Sequence, residues 1–290
     1  MFPLRVVRPL PWLMGVIALS GALSGCDIVS KGPTEPGGPA PSKVSYTALG
    51  ASDAIGYGSS APCVPFASCP DGTGYVQLVA RRLREANADM SFLNLGIPGA
   101  VLSRNLQTIG NSVGRGIPAN FIDGEMPFVA RDSTLVTVFA DANGVNAVGA
   151  KLRPMPAADR ADYAQTQLEN FAKDFETFAA GISDRAPSAK IIVLNLPNLA
   201  RLPYAAGYTE EERHWLRVLS NGFTAAINAT RSSRVLVVDL MCHPPIYQPS
   251  VYSSDGFHPN DAGYRALADL VSAAIATAPA APPTSCSFMS

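Results

Sequence analysis

Short apolar runs alternate with longer amphipathic segments along most of this chain. Five runs rich in Val, Leu and Ile predict β-strands, at residues 43–50, 91–96, 133–140, 190–196 and 233–240. Segments with apolar residues at helical spacing predict helices, at residues 74–88, 158–183, 209–231 and 259–278. Because the strand-forming runs are continuously apolar, they are typical of a parallel sheet covered on both faces. We therefore predict an α/β fold, a three-layer α/β/α sandwich around a central parallel sheet of about five strands.

The N-terminal segment departs from this pattern. Arg5 and Arg8 precede an apolar run at residues 10–25 that glycines interrupt. This run is shorter than the roughly 20 apolar residues of a membrane-spanning helix, so we interpret residues 1–25 as a secretory signal peptide. Residues 26–42 are rich in Gly and Pro without periodicity and predict a flexible linker.

The end of this signal resembles the lipobox of bacterial lipoproteins. Its sequence is Leu23-Ser24-Gly25-Cys26, and the resemblance implies that Cys26 is lipidated and becomes the first residue of the mature chain. Because each acyl CH₂ that is buried contributes about 0.8 kcal/mol, several chains would anchor the protein firmly. We expect an exported, membrane-anchored bacterial lipoprotein, on the periplasmic side or the cell surface. An ordinary secretory signal with a chance cysteine is the alternative.

Four further cysteines remain in the mature chain. An even number in an exported protein favours two disulfides, for which three pairings are possible. We favour Cys63–Cys69, which closes a small loop, and Cys242–Cys286, which ties the tail at residues 279–290 to the body. A zinc site is the alternative, but the spacing is not that of paired Cys-x-x-Cys motifs.

Length and charge narrow the class of protein. The chain has 290 residues, a formal net charge of −1 and 47% hydrophobic residues, as expected of one large globular domain over residues 43–278. No long basic run is present, and this argues against a nucleic-acid partner. We expect a monomer.

Candidate chemistry lies where the predicted strands end, because ligands in open α/β sheets bind at the carboxyl ends of strands. Ser52 follows the first predicted strand in a turn bounded by glycines. Gly96 and Gly99 follow the second strand, and Asn143 follows the third. Taken singly, each of these residues also suits an ordinary turn or a helix cap.

The loop before the last helix, Asp-Gly-Phe-His-Pro, contains the base and the acid that a catalytic serine requires. Asp255 and His258 are close enough along the chain for the carboxylate to accept the Nδ1–H of the imidazole. Nε2 is then left to face Ser52, arriving from the first strand. A serine hydroxyl needs such a base, and the base needs a group that fixes its tautomer. Backbone N–H groups and an amide would hold the developing oxyanion.

The segments GASD, NLGIPG, DANG and DGFHPN together resemble, in order and spacing, the four blocks of the SGNH hydrolases, also called GDSL esterases and lipases. The resemblance implies a flavodoxin-like fold over residues 43–278. It also implies that Ser52 is the nucleophile and that Asp255 and His258 complete the triad. The oxyanion hole would comprise the N–H groups of Ser52 and Gly99 and the side chain of Asn143.

The same resemblance implies a carboxylic ester hydrolase that works through an acyl-enzyme without metal or organic cofactor. The segment at residues 195–207 resembles the loops that wall the acyl pocket in lipolytic members. Leu199, Leu202 and Tyr204 would do so here, which favours short to medium acyl chains on a small-molecule or lipid ester; plain loop packing is the alternative. A glycan O-acetylesterase, or a non-catalytic ligand-binding lipoprotein with a degenerate pocket, are the other hypotheses.

Two departures from the family pattern concern the oxyanion pocket. The first block usually contains Gly-Asp-Ser-Leu, whereas Ala51 precedes the serine here and Asp53 follows it. The third block is usually Gly-x-Asn-Asp, whereas Asp141 and Gly144 occupy its outer positions here. These departures leave the shape of the pocket open.

Residues 110–114, Gly-Asn-Ser-Val-Gly, offer a competing nucleophile, Ser112. They match the Gly-x-Ser-x-Gly elbow of α/β-hydrolases, which must follow a strand and open a helix. The residues before Ser112 look helical or irregular, and those after it do not begin a helix. Ser52 is therefore the favoured nucleophile.

Overall fold

The computed structural model describes residues 43–87, 89–139 and 141–290. The predicted signal peptide, lipidation site and linker, residues 1–42, lie outside the described residues. None of the helices within the described ranges combines the length and apolarity needed to cross a membrane.

A single parallel sheet forms the centre of the molecule. Its five strands follow the order β2-β1-β3-β4-β5 and all neighbouring pairs are parallel. The strands are β1 (Val44–Gly50), β2 (Met90–Asn94), β3 (Leu135–Phe139), β4 (Lys190–Leu194) and β5 (Val235–Val238). β4 and β5 are buried almost throughout, because helices cover both faces of the sheet. The fold class predicted from the continuous apolar runs is therefore confirmed.

Within the described residues, seven helices connect and cover the strands. They are α1 (Tyr75–Ala86), α2 (Arg104–Ser112), α3 (Phe121–Gly124), α4 (Ala142–Leu152), α5 (Ala157–Arg185), α6 (Glu210–Ala229) and α7 (Asp261–Ala276). Short 3-10 turns add Met126–Phe128, Leu199–Arg201, Pro203–Gly207, Pro244–Tyr247 and Pro249–Val251. The four predicted helices are present as α1, α5, α6 and α7; α2, α3 and α4 were not predicted.

The helices form two layers. α1 and α7 pack together on one face of the sheet around Tyr75, Tyr264 and Leu267, all fully buried. α2, α4, α5 and α6 cover the other face. There Phe171 of α5 stacks on Phe223 of α6, with ring centroids 3.7 Å apart. Burying a side chain of this size stabilises a fold by roughly 1.5–3 kcal/mol, so aromatic packing fixes α5 and α6 against each other.

The strand order determines where a ligand can bind. From β1 the chain first adds β2 on one side and then crosses to β3 on the other. In doubly wound sheets such a reversal opens a crevice at the carboxyl ends of the two strands beside it. Ser52 lies just after β1, and Asn143 lies at the start of the helix after β3.

Both predicted disulfides are formed. Cys63 pairs with Cys69, and Cys242 pairs with Cys286, with Cα–Cα distances of 5.7 and 5.9 Å. The second bridge holds the C-terminal tail on the body, where the ring of Phe288 stacks on that of Tyr247 at 4.3 Å. The tail thus covers the turn after β4 as a fixed part of the domain.

Candidate active site

The predicted nucleophile lies in a tight turn directly after β1. Ser52 is 6% exposed, and its carbonyl accepts a hydrogen bond from the Tyr57 N–H at 3.0 Å. Its Oγ lies 2.9 Å from Nε2 of His258, 206 residues further along the chain. Because the fold brings these two atoms within hydrogen-bonding distance, Ser52 and His258 share one site.

His258 is held by the predicted acid. Its Nδ1 lies 2.6 Å from Oδ2 of Asp255. This partner fixes the tautomer, because a carboxylate can only accept and Nδ1 must then carry the proton. Nε2 is left as the acceptor for the hydroxyl of Ser52.

The loop that carries Asp255 is arranged around its carboxylate. Oδ1 accepts hydrogen bonds from Ser253 Oγ at 2.8 Å, Phe257 N at 2.8 Å and His258 N at 2.9 Å. Although partial burial acts to raise it, these bonds and the one from the imidazole lower the pKa of Asp255 to about 2. The carboxylate is therefore ionised at neutral pH.

A glycine makes this loop possible. Gly256 has a φ of +69°, and a Cβ at this position would lie 2.7 Å from the backbone N of Tyr204. Two rings also flank the imidazole of His258, that of Tyr57 at 4.6 Å and that of Phe257 at 4.9 Å between centroids. These contacts restrict rotation of the imidazole.

The predicted oxyanion groups lie in the loop after β2 and in the first turn of α4. Gly99 has a φ of +81°, a conformation that favours glycine. Asn143 donates one N–H of its amide to the carbonyl of Ala100 at 3.1 Å, which leaves the second N–H of that amide for another acceptor. Asn143 and Phe257 line one small cavity together with Ala51, the residue before the serine. Asn143 thus borders the same small cavity as the serine turn and the histidine loop.

The unusual residues around Asn143 have a structural explanation. Asp141 caps α4, accepting hydrogen bonds from Gly144 N at 2.9 Å and from Leu102 N at 2.8 Å. Burial raises the pKa of Asp141 to about 7, although these two hydrogen bonds act to lower it. A Cβ on Gly144 would lie 2.4 Å from Oδ2 of Asp141 and 2.9 Å from Leu106. Asp141 and Gly144 therefore fit together as a pair.

The predicted pocket residues have different environments. Leu199 and Leu202 are 1% and 4% exposed and belong to the core, and the cavity beside them measures only about 20 Å³. Tyr204 packs against Phe257 with ring centroids 5.0 Å apart. Its hydroxyl donates to Oδ1 of Asn146 at 3.1 Å. The two leucines pack the loop and line only this small cavity, which Asp53 and Phe257 share, whereas Tyr204 contacts the histidine loop through Phe257.

A larger cavity was not predicted from the sequence. It has a volume of about 350 Å³ and is lined by Asn146 together with Arg115, Arg153, Tyr208 and Trp215. Asn146 is one turn of α4 beyond Asn143, and its Oδ1 accepts the hydroxyl of Tyr204, whose ring packs against Phe257. The only sequence signal is the three-residue spacing of the two asparagines, which places them on one helix face.

Two acids near the serine were not assigned a function from the sequence. Asp53 lines the small cavities beside Phe139 and Phe257; burial raises its pKa, and the nearby His258 opposes the rise. Glu125 is fully buried, and its Oε2 accepts the backbone N–H of Gly50 at 2.9 Å. No sequence pattern identified Glu125, which is 75 residues from its partner.

The competing nucleophile, Ser112, has a different environment from that of Ser52. Ser112 ends α2, on the exposed surface, and its Oγ donates to the carbonyl of Ile109 at 2.8 Å. It does not stand between a strand and a helix. The imidazole of His258 faces Ser52 instead, so the geometry agrees with the preference for Ser52.

Comparison with solved structures supports the fold. The lipase Lip_vut3 from a goat rumen metagenome is 19% identical, with a TM-score of 0.54 over 80% of this chain and 97% of that one. An extracellular lipase from Streptomyces rimosus is 15% identical, with a TM-score of 0.56 over 80% and 99%. Phospholipase A1 from Streptomyces albidoflavus NA297 is 17% identical, with a TM-score of 0.54 over 80% and 99%. At these identities the likeness concerns the fold alone.

A sequence search of curated proteins finds no significant match. The sequence profile of the GDSL-like lipase/acylhydrolase family, in contrast, matches residues 48–266. The match covers most of the chain and includes the turn of Ser52, the α4 start at Asn143 and the loop of Asp255 and His258. The chain therefore belongs to the GDSL-like lipase/acylhydrolase family.

Proposed function

We propose that this protein is a serine esterase that hydrolyses carboxylic esters with Ser52, His258 and Asp255 as its catalytic triad. The observation that carries the proposal is the continuous pair of contacts from Ser52 Oγ to Nε2 at 2.9 Å and from Nδ1 to Asp255 at 2.6 Å. Membership in the family implies ester hydrolysis, and these contacts supply a nucleophile, a base and an orienting acid in the required order.

The reaction begins with proton transfer from the serine. Nε2 of His258 accepts the hydroxyl proton as Ser52 Oγ bonds to the ester carbonyl carbon and the carbonyl π electrons move onto oxygen. When the tetrahedral intermediate collapses, the C–O bond to the leaving alcohol breaks and the imidazolium returns the proton to that alcohol. A water molecule then attacks the acyl-enzyme by the same steps, releasing the carboxylic acid and restoring Ser52.

Asp255 remains ionised through this cycle. Its pKa of about 2 is far below that of an imidazolium, so it stabilises the charge on His258 without taking its proton. The N–H groups of Ser52 and Gly99 and the free amide N–H of Asn143 stabilise the oxyanion. A single donor of this kind typically contributes about 100-fold or more to turnover.

For the substrate, we propose esters of short to medium acyl chains. The cavity of about 350 Å³ beyond Asn143 is within the usual range of ligand pockets. Its lining mixes Tyr208 and Trp215 with Asn146 and Arg115, and this mixture favours a second candidate, a glycan O-acetylesterase whose sugar occupies the cavity. Hydrolysis of p-nitrophenyl esters of graded chain length, compared with acetate release from acetylated xylan, separates the two candidates.

We also propose that the protein is exported and lipid-anchored through Cys26. The two disulfides support an oxidising compartment. Metabolic labelling with a fatty acid analogue should mark the full chain and should be lost in Cys26→Ala. Label that persists in Cys26→Ala would contradict the anchor.

The catalytic proposal is tested with residues 27–290 and p-nitrophenyl acetate. The wild-type protein should turn over the ester, and Ser52→Ala should lose turnover. Equal activity of the two proteins would refute the assignment. Loss of activity in Ser112→Ala with full activity in Ser52→Ala would transfer the role to Ser112.

A further inference from the structure

A fully buried carboxyl group lies beneath the serine turn. Glu125 follows α3 and precedes the 3-10 turn Met126–Phe128. Its Oε2 accepts the N–H of Gly50 at 2.9 Å. Oε1 has no hydrogen-bond partner among the described residues. An acid in this position needs an explanation, because an apolar side chain would avoid the cost of burying a polar group.

The residue that Glu125 binds pairs the two segments that bear oxyanion donors. Gly50 is the last residue of β1, two residues before Ser52. Ile97 is two residues before Gly99, and its N–H donates to the carbonyl of Gly50 at 3.1 Å. Glu125 therefore holds the residue at which the serine turn meets the glycine loop.

A second buried acid continues the same framework. Asp141 accepts the N–H of Leu102 at 2.8 Å and that of Gly144 at 2.9 Å. It thereby ties the far end of the glycine loop to α4, where Asn143 donates to Ala100 in that loop. Each oxyanion donor is consequently carried by a segment that a buried carboxyl group holds.

The residue before the serine, Ala51, carries no carboxyl group. In this chain the residue before the serine is a buried alanine, 6% exposed, where the family usually has an acid. The acid beneath the serine turn comes instead from a segment outside all four sequence blocks. Burial raises the pKa of Glu125 well above its usual range, although the hydrogen bond from Gly50 acts to lower it.

We propose that Glu125 is a positioning residue that sets the spacing between the N–H groups of Ser52 and Gly99 in the oxyanion hole. The proposal rests on the catalytic function of Ser52 argued above. Oxyanion donors act mainly in the transition state, so a displaced donor lowers kcat more than it changes KM. A role in packing alone would lower stability without this selective loss of kcat.

The test compares Glu125→Ala, Glu125→Gln and a matched control. Asn195→Ala is that control, because Asn195 is also fully buried and its Oδ1 accepts the N–H groups of Leu240 and Met241 at 2.6 and 3.2 Å. It joins the ends of β4 and β5, which carry no predicted oxyanion donor. Melting temperature, kcat and KM for p-nitrophenyl acetate, and the rate of fluorophosphonate labelling are measured for each protein.

For Glu125→Ala we expect kcat and the labelling rate to fall by about 100-fold, the typical effect of one lost oxyanion donor, with KM changed less than about threefold. Glu125→Gln keeps an acceptor oxygen of the same reach and should retain kcat within about tenfold of wild type. Asn195→Ala should lose stability but keep kcat within about threefold. If Glu125→Ala does not fold, Glu125→Asp, which is one methylene too short to keep its hydrogen bond with Gly50, should show the selective loss of kcat.

Two results would overturn the proposal. One is a kcat in the soluble Glu125→Ala or Glu125→Asp protein that matches Asn195→Ala, and the other is a change in KM alone. A wild-type protein that neither hydrolyses esters nor labels at Ser52 would instead refute the proposed function itself. The two failures are therefore distinguishable.

Discussion

The proposed site has a histidine side, formed by Asp255 and His258, and an oxyanion side, formed by Gly99 and Asn143. The two sides use carboxyl groups in opposite ways. On the histidine side, Asp255 is partly exposed, accepts four hydrogen bonds and has a pKa lowered to about 2. On the oxyanion side, Asp141 is buried, its carboxyl group accepts two hydrogen bonds, from the backbone N–H groups of Leu102 and Gly144, and its pKa is raised to about 7. Hydrogen-bond donors lower the pKa of Asp255 more than burial raises it. For Asp141, burial raises the pKa more than its donors lower it. One side supplies charge, and the other supplies geometry.

The largest effect is expected for Asp255→Asn. The amide presents a donor as well as an acceptor, so it can stabilise the wrong tautomer of His258, and it removes the charge that stabilises the imidazolium. By analogy with the loss of the acid in a serine protease triad, kcat should fall by about 10⁴-fold. Steady-state kinetics with p-nitrophenyl acetate measure it. A loss below tenfold would show that charge on the histidine side is dispensable.

Asn143→Ala should have the second largest effect. It removes one oxyanion donor and leaves the triad intact, so kcat should fall by about 100- to 1,000-fold. The fluorophosphonate labelling rate should fall in parallel, because the phosphoryl oxygen occupies the same hole. An unchanged labelling rate would place Asn143 outside the oxyanion hole.

Gly144→Ala tests the geometry of the oxyanion side. The added Cβ would lie 2.4 Å from the carboxyl of Asp141, so α4 or the carboxyl must shift. Overpacking of this kind typically costs about 1–3 kcal/mol in the free energy of unfolding, and the shift should also lower kcat through Asn143. Chemical denaturation and kinetics measure both. The exposed Gly207→Ala, where a Cβ meets nothing within 4 Å, is the control.

The smallest effect is a difference in the pH dependence of stability. The folded state raises the pKa of Asp141 from 3.8 to about 7, so it binds the proton more tightly than the unfolded chain. The contribution of Asp141 is therefore fully present below about pH 4 and is lost as the pH rises through about 7. For Asp255 the sign is reversed, and its contribution is lost as the pH falls from about 4 to about 2.

Denaturation at pH values from 5 to 8 measures the gap in the free energy of unfolding between wild type and Asp141→Asn. The amide keeps one acceptor but cannot titrate, so the variant should be less stable at pH 5, and the gap should narrow toward pH 8. A gap that stays constant from pH 5 to pH 8 would mean that Asp141 is already ionised in the fold at pH 5.

The sequence predicts the histidine side of the site better than the oxyanion side. Asp255 and His258 share one loop, so their spacing along the chain nearly determines their contact. The strands could also be predicted, because residues such as Val136 and Ile191 belong to continuous apolar runs that only a covered sheet accommodates. The two disulfide pairings followed from loop closure and from the position of the tail.

The oxyanion side depends on contacts that the local sequence does not encode. α4 begins with Ala-Asn-Gly and contains a second glycine, Gly149, so its low helix propensity concealed it. The cap at Asp141 and the core packing of Val145 and Val148 stabilise this helix instead. Glu125 reaches Gly50 across 75 residues, and no periodicity or spacing predicts such a contact.

The central claim is that Ser52 is the nucleophile activated by His258, and active-site labelling tests it most directly. Residues 27–290 are treated with a fluorophosphonate, digested and analysed by mass spectrometry, in wild type and in His258→Ala. We predict one modified residue, Ser52, in the wild type and labelling slower by about 10⁴-fold or more in His258→Ala. Modification of Ser112, or equal labelling rates in the two proteins, would contradict the account.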